Sequence, residues 1–137
     1  MSDPEVHGQP SAETIDRLRP VLIADDDADL RSLMREFLGR LGLTVLEAAN
    51  GLEALWAVKQ QRPRVVMVDL TMPRLGGLDT IRHIRNYDRS IRVVAITGGV
   101  SEEAEVSLQD WGVPILRKPL SLHAIVAAVS TTGASER

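Results

Sequence analysis

The chain has 137 residues, 44% of them hydrophobic and 26% charged, which suits one globular domain and excludes a disordered chain. A net charge of −3 argues against the basic surface of a nucleic-acid-binding protein, and the absence of cysteine excludes disulfides and thiolate metal sites. No stretch approaches the roughly 20 apolar residues that span a bilayer, and residues 1–20 lack the apolar core of a secretory signal. We therefore expect a cytoplasmic protein that contacts neither nucleic acid nor membrane directly.

Short apolar runs alternate with amphipathic segments five times along the chain. Residues 1–19 are rich in Pro, Gly and Ser and are predicted to form a mobile leader, whereas 20–131 form the folded domain and 132–137 a frayed tail. Each apolar run predicts a strand, and each amphipathic segment predicts a helix. In chain order the predicted elements are strand 21–24, helix 28–41, strand 43–48, helix 51–61, strand 64–68, helix 77–86, strand 91–96, helix 101–111, strand 113–116 and helix 121–130.

The spacing of apolar residues in the first two helical segments predicts which side chains face the core. In both segments, apolar side chains recur three or four residues apart, the interval that places them on one face of a helix. The residues expected on these faces are Leu30, Leu33, Met34, Phe37, Leu38 and Leu41 in the first helix and Leu52, Leu55 and Val58 in the second, with Trp56 partly buried.

The alternation of strands and helices indicates an α/β fold. The first, third and fourth apolar runs are nearly continuous and rich in Val and Ile, as parallel strands covered on both faces are. Five strand–helix units with right-handed crossovers predict a single doubly wound parallel sheet with five helices and the strand order 2-1-3-4-5. A ligand is then expected in the crevice outside the carboxyl ends of strands 1 and 3.

Polar residues follow four of the five predicted strands. Because the carboxyl ends of parallel strands meet at one edge of a sheet, three carboxylates, a hydroxyl and an ammonium should converge there. We assign Asp27, the last acid of V-L-I-A-D-D-D, to capping the first helix. The converging residues are Asp25 and Asp26 after strand 1, Asp69 after strand 3, Thr97 after strand 4 and Lys118 after strand 5.

The charges of this crevice predict a bound divalent cation. Its three carboxylates exceed the single positive charge of Lys118 by two, which a divalent cation balances. An all-oxygen site with few protein carboxylates suits Mg²⁺, which keeps several waters and accepts phosphate oxygens as ligands. A carboxylate beside Mg²⁺, a lysine and a hydroxyl are also equipped for phosphoryl transfer, with the carboxylate as nucleophile.

These residues resemble a known family, the receiver domains of bacterial two-component response regulators. The matching pieces are D-D at 25–26, D-L-T-M-P-R-L-G-G at 69–77, Thr97 and K-P at 118–119, and the resemblance spans about residues 20–130. Each piece alone is weak, but all of them in this order, each at a predicted strand end, are specific. The resemblance implies a flavodoxin-like or CheY-like fold and a cis peptide before Pro119.

The resemblance also implies a role for each residue of the crevice. Asp69 is the phosphoacceptor, Lys118 pairs with the phosphoryl group, and the Thr97 hydroxyl reports its presence. Mg²⁺ is implied to be held by Asp26 and Asp69 directly, by Asp25 through a metal-bound water and by the backbone carbonyl of Thr71.

Three positions depart from the pattern common in this family. Ile115 stands where many members carry the Tyr or Phe that couples to the threonine, so the switch pair Thr97–Ile115 lacks an aromatic ring. Thr71 and Gly99 occupy the positions that tune dephosphorylation, and neither carries a carboxylate or an amide to orient water. We therefore expect a moderately long-lived phosphoryl group.

The function that these residues imply is a stand-alone signalling receiver and not a turnover enzyme. Its phosphoryl donor is expected to be a sensor histidine kinase or a histidine phosphotransfer protein. The sequence leaves open whether it is a switch that binds a target protein through the face of helix 4, strand 5 and helix 5, or a phosphorelay intermediate.

Two other interpretations remain open at the level of sequence. The chain is read in one as a receiver fragment of a longer DNA-binding regulator. In the other it is a Mg²⁺-dependent phosphatase with an aspartyl nucleophile, although Thr71 stands where such enzymes carry a second Asp.

Overall fold

Five strands alternate with five helices in a computed structural model that describes residues 19–99 and 101–130. The predicted leader and tail lie outside the described residues, apart from Arg19. Every predicted element is confirmed to within two residues at each end. The elements are β1 Val21–Ala24, α1 Ala28–Arg40, β2 Val45–Ala48, α2 Gly51–Gln61, β3 Val65–Asp69, α3 Gly77–Tyr87, β4 Arg92–Thr97, α4 Glu102–Trp111, β5 Ile115–Arg117 and α5 Leu122–Ser130.

The strands form one parallel sheet in the order β2-β1-β3-β4-β5, which confirms the predicted doubly wound, CheY-like topology. The register places Asp69 of β3 opposite Ile96, and Thr97 of β4 opposite Arg117. The carboxyl ends of the central strands therefore share one edge, where the predicted site residues lie. Across the described ranges, every helix is too short or too polar to span a bilayer.

Two hydrophobic cores lie on opposite faces of the sheet. Successive β-residues point to opposite faces, so Leu22 enters the core beneath α2, α3 and α4, while Ile23 enters the core beneath α1 and α5. Both side chains are fully buried, as expected of strands that helices cover on both sides. The site at the sheet edge is therefore supported by packing from two independent layers.

Four of the apolar helix residues are more exposed than the sequence pattern predicts. On α1, Leu33 lies at the margin of the buried face and Leu41 lies just beyond the last turn, and they are 58% and 52% exposed. On α2, Leu52 and Trp56 are 50% and 68% exposed, so the expectation of a partly buried Trp56 is wrong.

Small residues explain the different orientation of α2. Its buried face is formed by Gly51, Ala54 and Val58. A side chain at position 51 would clash with the carbonyl oxygen of Leu75 and the hydroxyl of Thr80, so glycine is needed for the close approach. A pattern based on large apolar side chains does not count such small residues, and it therefore predicted a different buried face for α2.

Side-chain caps fix where the helices begin. Oδ1 of Asp27 accepts the backbone N–H groups of Asp29 and Leu30 at 3.0 and 3.2 Å, which confirms the capping role assigned to it. Asn50 caps α2 and Ser101 caps α4 in the same way. The capped start of α1 fixes the direction in which the chain leaves β1, immediately after the two acids of the site.

Gly77, the first residue of α3, is predicted to be required by close packing against the backbone of Asp69. A Cβ at this position would lie 2.5 Å from the Asp69 carbonyl oxygen and 2.5 Å from Leu70 Cα, and backbone atoms cannot move aside as a side chain can. We expect Gly77→Ala to lower the free energy of unfolding by about 2 kcal/mol, the usual cost of overpacking.

Urea denaturation measures this difference, with Gly39→Ala as the control. Gly39 lies within α1, and an added Cβ there meets nothing within 4 Å. The control should gain roughly 0.5–1 kcal/mol because alanine favours the helix over glycine. An equal effect of both substitutions would show that the close approach is not limiting.

Candidate functional site

Three carboxylates meet at the carboxyl edge of the sheet. Asp25 follows β1, Asp26 is the next residue, and Asp69 ends β3 beside β1. One carboxylate oxygen from each of the three lies within 4.8 Å of the others. Asp25 and Asp69 are buried, whereas Asp26 is exposed. The structure thus brings together the three acids that the sequence placed at one crevice.

Lys118, which follows β5, reaches into this acidic cluster. Its Nζ lies 3.3 Å from Oδ2 of Asp25 and 3.4 Å from Oδ2 of Asp69. Burial alone lowers the pKa of Lys118, but the negative charges of Asp25 and Asp69 outweigh it and raise the pKa above its usual value. The ammonium therefore stays charged at neutral pH. The peptide bond between Lys118 and Pro119 is cis, as the resemblance implied.

Burial has the largest effect on the pKa of Asp25. Burial raises the pKa of Asp25, and the charge of Asp69 raises it further, while the N–H of Asp27 and the ammonium of Lys118 oppose this shift. Oδ1 of Asp25 accepts the Asp27 N–H at 2.9 Å. Oδ2 is buried and accepts no hydrogen bond, although it forms the ion pair with Lys118. One acceptor of the cluster is thus left to a ligand or a water.

Thr71 contacts the Asp69 carboxylate in a way that sequence reasoning missed. Its backbone N–H and its hydroxyl both donate to Oδ1 of Asp69, each at 3.0 Å. Oδ2 of Asp69 accepts from Lys118. Both oxygens of this buried acid therefore have partners, and these hydrogen bonds fix the orientation of the carboxylate.

Thr97 is buried at the end of β4, but its hydroxyl is bonded to the following loop. Oγ1 donates to the carbonyl of Gly99 at 2.6 Å and accepts the N–H of Gly99 at 2.9 Å. The role of this hydroxyl in sensing a phosphoryl group stays a prediction. Ile115, the other predicted switch residue, is half-buried on β5 opposite Ala95.

A network of an arginine and a carboxylate joins the site to the edge strand β2, and sequence reasoning missed it as well. Nη1 of Arg31 on α1 donates to the backbone carbonyl of Asp25 at 2.7 Å, and its Nε donates to Glu47 of β2 at 3.0 Å. The sequence pattern indicated no functional side chain at the end of strand 2. The signal that it could have used is Glu47, a charged residue within an otherwise apolar strand.

The donors of the cluster fit a hard divalent cation. All of them are oxygens, the carboxylates outnumber the neighbouring ammonium, and one buried acceptor has no hydrogen bond. Oxygen ligands of this kind suit Mg²⁺ or Ca²⁺ and do not suit the softer metals that bind thiolates. Within the described residues, the cluster of Asp25, Asp26 and Asp69 could hold a metal ion.

A family model and several known proteins match the chain over its folded part. A family model described as "Response regulator receiver domain" matches residues 21–130. The chain is 31% identical over 110 residues to sporulation initiation phosphotransferase F of Bacillus subtilis, covering 80% of this chain and 89% of that protein. It is 33% identical over 108 residues to the response regulator MprA of Mycobacterium ulcerans, covering 78% of this chain and 47% of that protein.

A solved structure shares both the fold and part of the sequence. It is a response regulator protein from Burkholderia pseudomallei with a phosphorylated aspartic acid, calcium ion and citrate. The TM-score is 0.74 at 27% sequence identity, and the match covers 82% of this chain and 67% of that chain. The chain thus spans nearly the whole of one relative but about half of another.

The raised pKa of Asp25 predicts a pH-dependent effect of Asp25→Asn on stability. A raised pKa in the folded protein favours folding while the carboxyl is protonated, and this contribution is lost as the pH rises from 3.8 through the raised value. At pH 7 without metal, Asp25→Asn should therefore be more stable than the wild type. Below about pH 3.8 the difference should vanish.

Urea denaturation at several pH values, with chelator and then with Mg²⁺, measures this effect. Asp27→Asn is the matched control, because it removes the same charge from an exposed residue and keeps a good helix cap. Added Mg²⁺ should stabilise the wild type more than Asp25→Asn. A less stable Asp25→Asn at pH 7 without metal would mean that the attraction of Lys118 outweighs burial and repulsion.

Proposed function

The chain belongs to the response regulator receiver domain family, and from this premise we propose that it accepts a phosphoryl group on Asp69 from a histidine kinase or a histidine phosphotransfer protein. The observation that carries the proposal is the buried Asp69 at the end of β3, beside the Lys118 ammonium and two further carboxylates. A cytoplasmic location is part of the proposal.

Each residue of the site has a separate role in the proposed phosphoryl transfer. An oxygen of the Asp69 carboxylate forms a bond to phosphorus while the phosphorus–nitrogen bond of the donor phosphohistidine breaks, and the imidazole nitrogen keeps the electron pair. The Lys118 ammonium neutralises charge on the phosphoryl oxygens. Thr71 holds the carboxylate in one orientation through its two hydrogen bonds to Oδ1.

Mg²⁺ is the cofactor that this proposal includes. Asp25, Asp26, Asp69 and the backbone carbonyl of Thr71 are the groups proposed to hold it. When bound, the ion supplies positive charge that screens the phosphoryl oxygens from the carboxylates. Oδ2 of Asp25, which is buried and accepts no hydrogen bond, and the excess negative charge of the cluster support this assignment.

Phosphorylation is proposed to act on the loop after β4 through Thr97. A phosphoryl group beside the end of β4 offers the Thr97 hydroxyl a stronger acceptor than the carbonyl of Gly99, which it meets at 2.6 Å in the structure. The hydroxyl can then leave Gly99 and free the start of α4. Phosphorylation thereby shifts the population towards an arrangement of this loop that already exists without it. The half-buried Ile115 on the neighbouring strand is proposed to move with the loop, although it has no aromatic ring.

A target protein is proposed to bind the face formed by α4, β5 and α5. Val106 of α4 is 56% exposed there, and Arg117 of β5 lies 3.6 Å from Glu105 of α4. Any movement of α4 would change this ion pair and the surface around Val106.

Because neither Thr71 nor Gly99 can orient water through a carboxylate or amide, the phosphoryl group is proposed to be moderately long-lived.

The phosphoryl donor is proposed to dock over a groove between α1 and α5. The groove holds about 330 Å³, is mostly apolar, and is lined at one point by Lys118 of the site. A donor helix with apolar side chains could cover it and bring its phosphohistidine to Asp69. The residues that line the groove are Asp27, Leu30, Leu33, Met34, Lys118, Pro119, Leu120, Leu122 and Ile125.

Three roles differ in what happens after phosphorylation. The match to 89% of a relative named a phosphotransferase supports a stand-alone receiver and favours a relay intermediate, whereas the match to 47% of a named response regulator favours a piece of a longer protein. A phosphatase is disfavoured, because Thr71 contacts Asp69 where a second acid would be needed. We therefore propose a receiver that assists only its own phosphorylation and dephosphorylation.

Phosphorylation by acetyl phosphate tests the site directly. Intact mass should rise by one phosphoryl group with Mg²⁺ and not with chelator, and Asp69→Ala should abolish the gain because it removes the acceptor. Lys118→Ala should slow the reaction on the order of 10²-fold, as the loss of one charge-stabilising donor does.

Asp79→Ala is the control for removing an acid, since Asp79 is exposed on α3 and pairs with Arg82. Steady release of phosphate without a mass change would support the phosphatase instead. No reaction with acetyl phosphate or with candidate histidine kinases would contradict the proposal.

Substitution in the groove tests where the donor docks. Leu33→Ser should slow transfer from a phosphorylated histidine kinase or phosphotransfer protein about tenfold, because apolar anchors at interfaces contribute over 1 kcal/mol. Its reaction with acetyl phosphate should not change. Leu41→Ser is the control, since Leu41 is similarly exposed on the same chain segment and does not line the groove. Equal slowing by both substitutions would exclude this docking site.

A further inference from the structure

We propose that Arg31 is a positioning residue for the metal site, which it braces through the backbone carbonyl of Asp25, and that Glu47 holds Arg31 in place. The inference rests on the proposed function and adds to it two residues outside the acidic cluster. It also gives the edge strand β2 a part in the site, although no side chain of β2 reaches the cluster itself.

The contacts of Arg31 are those of a brace between three elements. Its Nη1 donates to the Asp25 carbonyl at 2.7 Å, and its Nε donates to Oε1 of Glu47 at 3.0 Å. The side chains of Arg31 and Glu47 are only 16% and 23% exposed, so solvent screens their ion pair weakly. One guanidinium thus ties α1 to both β1 and β2, a geometry that its several N–H donors permit.

The carbonyl that Arg31 holds lies at the centre of the acidic pair. It belongs to the peptide group that links Asp25 to Asp26, so fixing it fixes the direction in which both side chains leave the backbone. Asp26 is exposed and has most freedom to swing away from the two other carboxylates, which repel it. A fixed peptide group therefore lowers the cost of collecting the three carboxylates around a cation.

Glu47 makes this brace compatible with cation binding. An unpaired arginine beside the site would repel a divalent cation, but the negative charge of Glu47 cancels that of Arg31. Hydrogen bonds from Arg35 and then Arg31 hold the pKa of Glu47 below its usual value, so Glu47 remains charged at neutral pH. The pair of Arg31 and Glu47 by itself carries no net charge, and the second arginine on Glu47, Arg35, is largely exposed to solvent.

Arg35 provides a matched control within the same network. Its Nη1 donates to Oε2 of Glu47 at 2.8 Å, and its side chain is 64% exposed. Of the two arginines, Arg31 donates to the Asp25 carbonyl and Arg35 does not. The single variants Arg31→Met and Arg35→Met each remove one positive charge and leave Glu47 with one arginine partner. They differ in whether the Asp25 carbonyl keeps its donor, so net charge cannot explain a difference between them.

Calorimetric titration with Mg²⁺ and urea denaturation test the inference on the full chain. We expect Arg31→Met to raise the Mg²⁺ dissociation constant at least fivefold and Arg35→Met to change it less than twofold. With acetyl phosphate, the Arg31 variant should need more Mg²⁺ for its half-maximal rate while its rate at saturating Mg²⁺ stays within twofold of the wild type.

A purely structural role would lower the urea midpoint without changing the Mg²⁺ dissociation constant, and equal constants for the two single variants would overturn the inference. If Arg31→Met does not fold, Arg31→Lys against Arg35→Lys decides, because a compact ammonium lacks the two separate nitrogens with which Arg31 contacts Glu47 and the carbonyl. A threefold weaker Mg²⁺ affinity for Arg31→Lys alone supports the brace, and equal affinities overturn it. A wild type that does not bind Mg²⁺ would instead contradict the proposed function.

Discussion

The attraction between the Lys118 ammonium and the carboxylates of Asp25 and Asp69 is the interaction on which the rest of the site depends. Buried acids at the ends of adjacent strands repel each other, and burial disfavours the charge of each. The fold supplies one cation from the end of β5 against three carboxylates, and Oδ2 of Asp25 still accepts no hydrogen bond. The site therefore keeps an excess of negative charge. A bound divalent cation would reduce this repulsion, so the stability of the site depends on the same ion as the chemistry proposed for it.

The sequence predicted those features that depend on short-range patterns. Continuous Val and Ile runs indicated buried parallel strands, and the predicted order of these strands placed Asp25, Asp69 and Lys118 at one edge of the sheet. Asp27 was separable from its two neighbours because a helix start accounts for one acid, and its carboxylate does accept two backbone N–H groups of α1. Position along a strand is enough to place a residue at a sheet edge, but it does not fix what its side chain contacts.

Long side chains and close approaches escaped the sequence for that reason. Arg31 reaches the site from the second turn of α1, and Glu47 of β2 accepts a hydrogen bond from Arg31. No periodic pattern in the sequence connects these two residues. The buried face of α2 follows from Gly51, because backbone and hydroxyl oxygens of the α3 region leave no room for a side chain there. The Thr97 hydroxyl donates to the carbonyl of Gly99, a contact that the position of Thr97 at a strand end does not predict.

The backbone on the two sides of Asp69 tolerates change unequally. Gly77 leaves no room for one methyl group against Asp69 and Leu70, whereas a Cβ at Gly98 or Gly99 would meet nothing within 4 Å. Glycine is therefore expected to persist at position 77 in related chains, while the loop after β4 has room for larger or charged side chains. Related chains can therefore keep the same acceptor geometry and still evolve different response times and different surfaces at the start of α4.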